Sequence, residues 1–121
     1  MYQTAWADYA AGQFQLAISG FEQFLKTFPK SDLADDAQYY VGEALASQNR
    51  LKDAVAAYDA VIKTYPGTPR VADAYYKRGV ALEGLNQIPQ ARDSLEYVLK
   101  TFPESTAARL AKQYLDKLKR D

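Results

Sequence analysis

Tyr2, Tyr39 and Tyr76 stand 37 residues apart, and the same interval carries Trp6 to Glu43 and on to Val80. Tyrosine and tryptophan bury much area at small entropic cost and keep one polar handle, so their chemistry is that of recognition. Catalytic chemistry has little to stand on. The chain has no histidine and no cysteine, which removes the commonest general base and the strongest nucleophile. Ser19, Ser31, Ser47, Ser94 and Ser105 read as caps or surface residues, and no glycine-rich stretch offers a phosphate cradle. Asp35-Asp36 is the one pair of acids that resembles a metal ligand set, and acids favoured by the positive end of a helix explain it better. The expectation is a non-enzyme without metal or cofactor.

The elements that would position those aromatics are written in a repeated phrase. Leu25-Lys26-Thr27-Phe28-Pro29 returns as Ile62-Lys63-Thr64-Tyr65-Pro66 and as Leu99-Lys100-Thr101-Phe102-Pro103, again at 37 residues. A fixed interval of this size marks a stacked repeat. Proline has no amide hydrogen and pushes the residue before it out of the helical region, so each phrase must end a helix. Between phrases the apolar residues recur at steps of three and four. Tyr2, Ala5, Trp6 and Tyr9 precede a left-handed stop at Gly12, and Phe14, Ala17, Ile18, Phe21, Phe24, Leu25 and Phe28 follow it. Ser31 is expected to cap a helix whose buried stripe is Leu33, Ala37, Tyr40, Val41, Ala44 and Leu45. Thr68 before Pro69 and Ser105 before Thr106 open the later units in the same way. Phe28 and Phe102 are expected to be buried between units.

The spacing therefore predicts an all-α single domain over 1–121: helix pairs at 1–30, 31–67 and 68–104, and a more charged capping helix at 105–121. Ala17, Ala54 and Ala91 coincide at the repeat interval, as do Phe21, Tyr58 and Leu95, and as do Gly12, Asn49 and Asn86. Gly42 and Gly79 fall under Ala5. Small residues let antiparallel helices approach, and the large residue fills the gap so created.

Composition narrows the partners. With 15 basic and 15 acidic residues, net charge gives no reason to expect nucleic acid or an anionic membrane. No apolar run is long enough to span a bilayer, and no signal peptide is present. The acids are concentrated before Leu45, which reads as an ordinary solvated surface. Nearly half the residues are apolar, enough for a continuous core without disulfide or metal staples.

The aligned positions resemble the tetratricopeptide repeat at every signature position except its leading tryptophan. That resemblance implies a right-handed superhelix whose first helices line a concave side. Its expected protein-binding residues are Tyr2, Tyr39 and Tyr76 in one column, then Trp6, Glu43 and Val80, flanked by Tyr9, Tyr40 and Lys77, with Asp36 and Asp73 at the mouth. Tyr40 and Tyr75 align with the core stripe and are expected to pack between units. For Tyr39, Tyr76 and Trp6 partner contact and inter-unit packing both stay open. Arg78 is expected to lay its stem along the core or to pair with an acid such as Asp73. The unit is three residues longer than the common one of about 34, which should lengthen each first helix by about one turn.

Several segments are similar to the C-terminal repeat domain of the YbgF/CpoB family. They are Gly12-Gln13-Phe14 through Ala17-Ile18, Phe21 to Pro29 with Ser31, Ala37-Gln38-Tyr39-Tyr40-Val41-Gly42-Glu43, and Pro66-Gly67-Thr68 ahead of Asp73-Ala74 and Lys77-Arg78-Gly79. That family implies a periplasmic protein that binds TolA in the Tol-Pal system, engages peptidoglycan synthesis and coordinates outer-membrane constriction with septal wall growth. It also implies a signal peptide, a trimerising coiled coil and a linker ahead of this domain, so these residues are expected to be one monomeric or weakly associating part of a longer chain. The helix pairs also resemble the BamD family of outer-membrane assembly lipoproteins. A structural spacer with no ligand is the third reading.

Overall fold

The computed structural model describes residues 1–120, and among them the secondary structure is seven helices with no strand. These are α1 (Tyr2–Ala10), α2 (Phe14–Thr27), α3 (Ala34–Ser47), α4 (Leu51–Thr64), α5 (Arg70–Gly84), α6 (Ile88–Thr101) and α7 (Thr106–Arg120). Each repeated phrase ends a helix at its threonine. The next residue, Phe28, Tyr65 or Phe102, leaves the helical region at φ near −130°, −124° and −125°, as the proline after it requires.

Within each pair the turn is built on one left-handed residue. Gly12, Asn49 and Asn86 have φ of 78°, 60° and 62°, and glycine and asparagine are the residues that tolerate this region. The amides of Gln13, Arg50 and Gln87 then reach back to the carbonyls of Asp8, Leu45 and Leu82 at 2.8, 2.9 and 2.9 Å, closing the last free carbonyls of the helix in the Schellman manner.

The aligned small and large residues are the core. Ala17, Ala54 and Ala91 are fully buried, and so are Phe21, Tyr58 and Leu95. A β-carbon on Gly42 would stand 2.6 Å from the Tyr58 ring, and one on Gly79 would stand 2.7 Å from Leu95. Glycine at these two places is what lets the second helix of the pair seat its large side chain. One core cluster runs from Ala5 to Ala74 and a second from Ala72 to Leu115. Each helix packs on the next in the chain, and α5 also packs against α3 and α7, the nearest-neighbour order of a stacked array.

The helix starts differ from expectation. Ser31 Oγ accepts from the Leu33 amide at 3.1 Å, but that amide lies in the turn, and the helix begins only at Ala34. Thr68 does not cap at all, because its hydroxyl donates to the Tyr65 carbonyl at 2.8 Å. Ser105 alone caps as expected, accepting from the Ala108 amide at 3.0 Å. The first helices are not a full turn longer than the second ones, since α3 has 14 residues and α5 has 15 against 14 in each of α2, α4 and α6. Two expected core residues fall outside the core. Leu33 in the turn is 44% exposed, and Phe28, swung away at the phrase, is 49% exposed.

Candidate protein-interaction face

Polar contacts join the first helices α1, α3 and α5 through Tyr2, Asp36, Arg70 and Asp73. The Tyr2 hydroxyl on α1 donates to the Asp36 carboxylate on α3. Asp36 also accepts from Arg70 Nε of α5 at 2.7 Å, and Arg70 Nη1 donates to Asp73 at 3.1 Å. Arg70 Nη2 reaches the Tyr40 hydroxyl at 3.4 Å, and its guanidinium lies 4.6 Å from the centre of the Tyr39 ring. One arginine thus meets two carboxylates and two aromatic rings, the planar multidentate work that a lysine would not do.

A second tier sits one turn further along. Glu43 accepts from the Tyr58 hydroxyl at 2.5 Å and pairs with Lys77 Nζ at 3.5 Å. At the far end of the stack Tyr114 of α7 donates to Glu83 of α5 at 2.6 Å. A hollow of about 310 Å³ lies between these tiers, lined in part by Glu43, Lys77, Val80 and Tyr114.

Burial sorts the aromatics. Tyr39 is closed off at 5% exposure, packed against Tyr40 and Tyr58 with ring centres 5.3 and 5.9 Å away. Its ring therefore packs inside the second helix pair, and the Arg70 guanidinium of the third pair lies over it. Trp6, Tyr9 and Tyr40 form a half-buried cluster, with Trp6 5.0 Å from Tyr40 and 5.6 Å from Tyr9. Tyr2, Tyr76 and Val80 are also half-buried, and the Lys77 ammonium lies 6.0 Å from the Tyr76 ring centre.

Ionisation follows the same geometry. Burial, then the hydrogen bond and charge of Asp36, push the Tyr2 phenol up. Burial followed by the Glu43 charge does the same at Tyr39, Tyr58 and Tyr9. At Arg70 burial pulls downward, but the Asp36 hydrogen bond and charge, with Tyr40 and Asp73, outweigh it and hold the guanidinium above its ordinary value. Every one of these groups keeps its ordinary charge state near neutrality. Among the described residues no three metal-ligating side chains converge.

Arg70, Tyr58, Glu83 and Tyr114 belong to this framework and escape a reading of the aligned columns. Arg70 takes the place that Leu33 holds one unit earlier, so the repeat hides it, although its i,i+3 spacing from Asp73 is a visible signal. Arg78 pairs with Asp59 of α4 at 2.6 Å, and Asp73, its expected partner, is taken by Arg70. Tyr75 leans on Tyr97 with ring centres 4.3 Å apart.

A comparison with curated protein sequences finds no match. Among solved structures the chain is similar to the TPR domain of Arabidopsis OM64, with a TM-score of 0.78 and 18% identity over 96% of this chain and 91% of that one. The fold is accordingly an all-α tetratricopeptide-type stack. The model of the YfiO family, described as outer membrane lipoprotein, matches residues 1–121, and over that whole length the chain belongs to this family.

Proposed function

We propose that the chain is a non-catalytic protein-binding scaffold of the bacterial envelope, working on the periplasmic side of the outer membrane and taking its partner on the face of α1, α3 and α5. The observation that carries this reading is the Tyr2–Asp36–Arg70–Asp73 network. It engages Tyr40 through Arg70, and Tyr40 packs on Trp6 and Tyr9, so these rings are ordered before any partner arrives and little ordering entropy remains to be lost on binding. Membership of an outer-membrane lipoprotein family supports the location, and no helix among the described residues is long and apolar enough to cross a membrane.

For the partner itself we propose TolA, with a peptidoglycan synthase as a further contact and coordination of envelope constriction as the role. The support is the similarity to YbgF/CpoB at the segments from Gly12 to Ile18, Phe21 to Ser31 and Ala37 to Glu43. The family match favours a second reading, a scaffold for outer-membrane assembly of the BamD kind. Titration separates the two. Trp6 is the only tryptophan, and soluble TolA should change its emission and raise the sedimentation coefficient of the chain. Tyr76→Ala should weaken that response without loss of folding. A chain that ignores saturating TolA in both measurements refutes the Tol-Pal reading, and capture of outer-membrane assembly components by the same chain would establish the second.

A further inference from the structure

The edge of the stack carries a cleft of about 670 Å³ between the first and second repeated phrases. Pro29, Tyr65 and Pro69 form part of its walls, and Asp35 lines it. The walls are pinned: the Tyr65 hydroxyl donates to the Pro29 carbonyl at 3.3 Å, and Thr68 Oγ1 donates to the Tyr65 carbonyl at 2.8 Å. Asp35 is 9% exposed, yet among the described residues none of the ion pairs engages it and no side-chain hydrogen bond does either. No described side-chain oxygen or nitrogen is both sealed and unpartnered, and Asp35 is among the residues that line the cleft.

The repeat supplies a built-in comparison. Ala72 occupies the position of Asp35 one unit later and is itself buried. The packing of the array is therefore met by a methyl group, and the Asp35 carboxylate, favoured only by the positive end of α3, has no side-chain cation of its own and is available to one from a partner. The cleft as a whole is acidic, with Asp32 and Asp35 against Lys30. Its two prolines and the Tyr65 ring suit an aliphatic stem, and the carboxylate at its base suits an ammonium head.

We propose that this cleft is a recognition site for a lysine side chain of a partner polypeptide, with Asp35 as the counter-ion and Pro29, Tyr65 and Pro69 against the stem. It is separate from the α1–α3–α5 face, so the two readings fail independently.

The test is a titration of the 15N-labelled chain with a blocked tetralysine peptide at low ionic strength, with blocked tetraserine as the control. The amides of Asp35, Tyr65, Gly67 and Thr68 should shift together along one saturating curve with tetralysine and stay still with tetraserine. Asp35→Asn should weaken the affinity at least tenfold, and Asp32→Asn and Asp53→Asn less than threefold. Asp35→Ala, the residue the next unit uses, should keep the fold and abolish the site. Shifts spread evenly over Asp8, Asp53 and Asp116, or unchanged affinity in Asp35→Asn, would overturn the proposal as a diffuse counter-ion effect. Unfolding of Asp35→Ala would overturn it as well, by making Asp35 a structural residue.

Discussion

Arg70 Nε lies 2.7 Å from Asp36 Oδ1 and thereby fastens the first turn of α5 to the first turn of α3. Both side chains are mostly covered, at 28% and 19% exposure, so solvent screens them little. Arg70→Ala removes this pair, the contact to Asp73 and the stacking on Tyr39, and leaves Asp36 with only the Tyr2 hydroxyl. We expect a loss of about 2–3 kcal/mol, read as a lower urea midpoint. Arg70→Lys should recover less than half of it, because an ammonium cannot span both carboxylates. The control is Arg50→Ala at the exposed Arg50–Asp53 pair, which should cost less than about 0.5 kcal/mol.

Gly42 and Tyr58 offer a sharper test of how the pairs are closed. The ring occupies the space a β-carbon would need, and Tyr58 is fully buried with its hydroxyl bound to Glu43. Gly42→Ala should cost about 1–3 kcal/mol by overpacking, despite the better helix propensity of alanine. Repeating it in a Tyr58→Ala background should recover most of that loss, giving a coupling energy above about 1 kcal/mol in the double-mutant cycle. Additive losses would mean that the two helices are not in contact there.

Phe28 and Phe21 separate punctuation from packing. Phe21 is fully buried, whereas Phe28 is half in solvent, its ring centre 5.5 Å from that of Phe24. Phe21→Ala should cost about 3–5 kcal/mol. Phe28→Ala should cost less than about 1 kcal/mol, because the helix stop depends on Pro29 and not on the ring before it. Thermal melts of the two variants decide the point.

These contrasts say what could be read from the residues. The stops at Pro29, Pro66 and Pro103, the left-handed turns at Gly12, Asn49 and Asn86, and the Gly42–Tyr58 seat follow from covalent geometry and spacing, so they were legible. Ser31 and Thr68 were not, because a hydroxyl can serve a turn or a helix and only the path of the chain chooses. Leu33 and Phe28 misled because apolar type says what a residue prefers, not where a turn leaves it. Arg70 was hidden because the alignment that reveals the repeat sets it against Leu33 and treats the difference as noise. Tyr2, Tyr39 and Tyr76 fall on α1, α3 and α5, but burial divides them, closing Tyr39 inside and leaving Trp6 and Tyr76 half open.

Alkaline titration tests that division directly. A buried phenol near the Glu43 carboxylate keeps its proton, so Tyr39 and Tyr58 are pushed well above the ordinary tyrosine value of about 10. Below that value the phenol is protonated in both folded and unfolded chains, and its contribution to stability is complete. Above it the unfolded chain releases the proton while the folded chain holds it, so stability falls as pH rises. Two such groups give a slope of about −2 to −3 kcal/mol per pH unit beyond about pH 10, with little change from these groups between pH 6 and 9. In the 295 nm absorbance, the folded protein should ionise only part of its ten tyrosines, and the rest should appear together as it unfolds. Tyr58→Phe should remove its own share of the slope, about 1.4 kcal/mol per pH unit, while leaving Glu43 paired with Lys77. If all ten phenols instead titrate in the folded chain as one group near pH 10, Tyr39 and Tyr58 are open to water and the inner face is not closed as described.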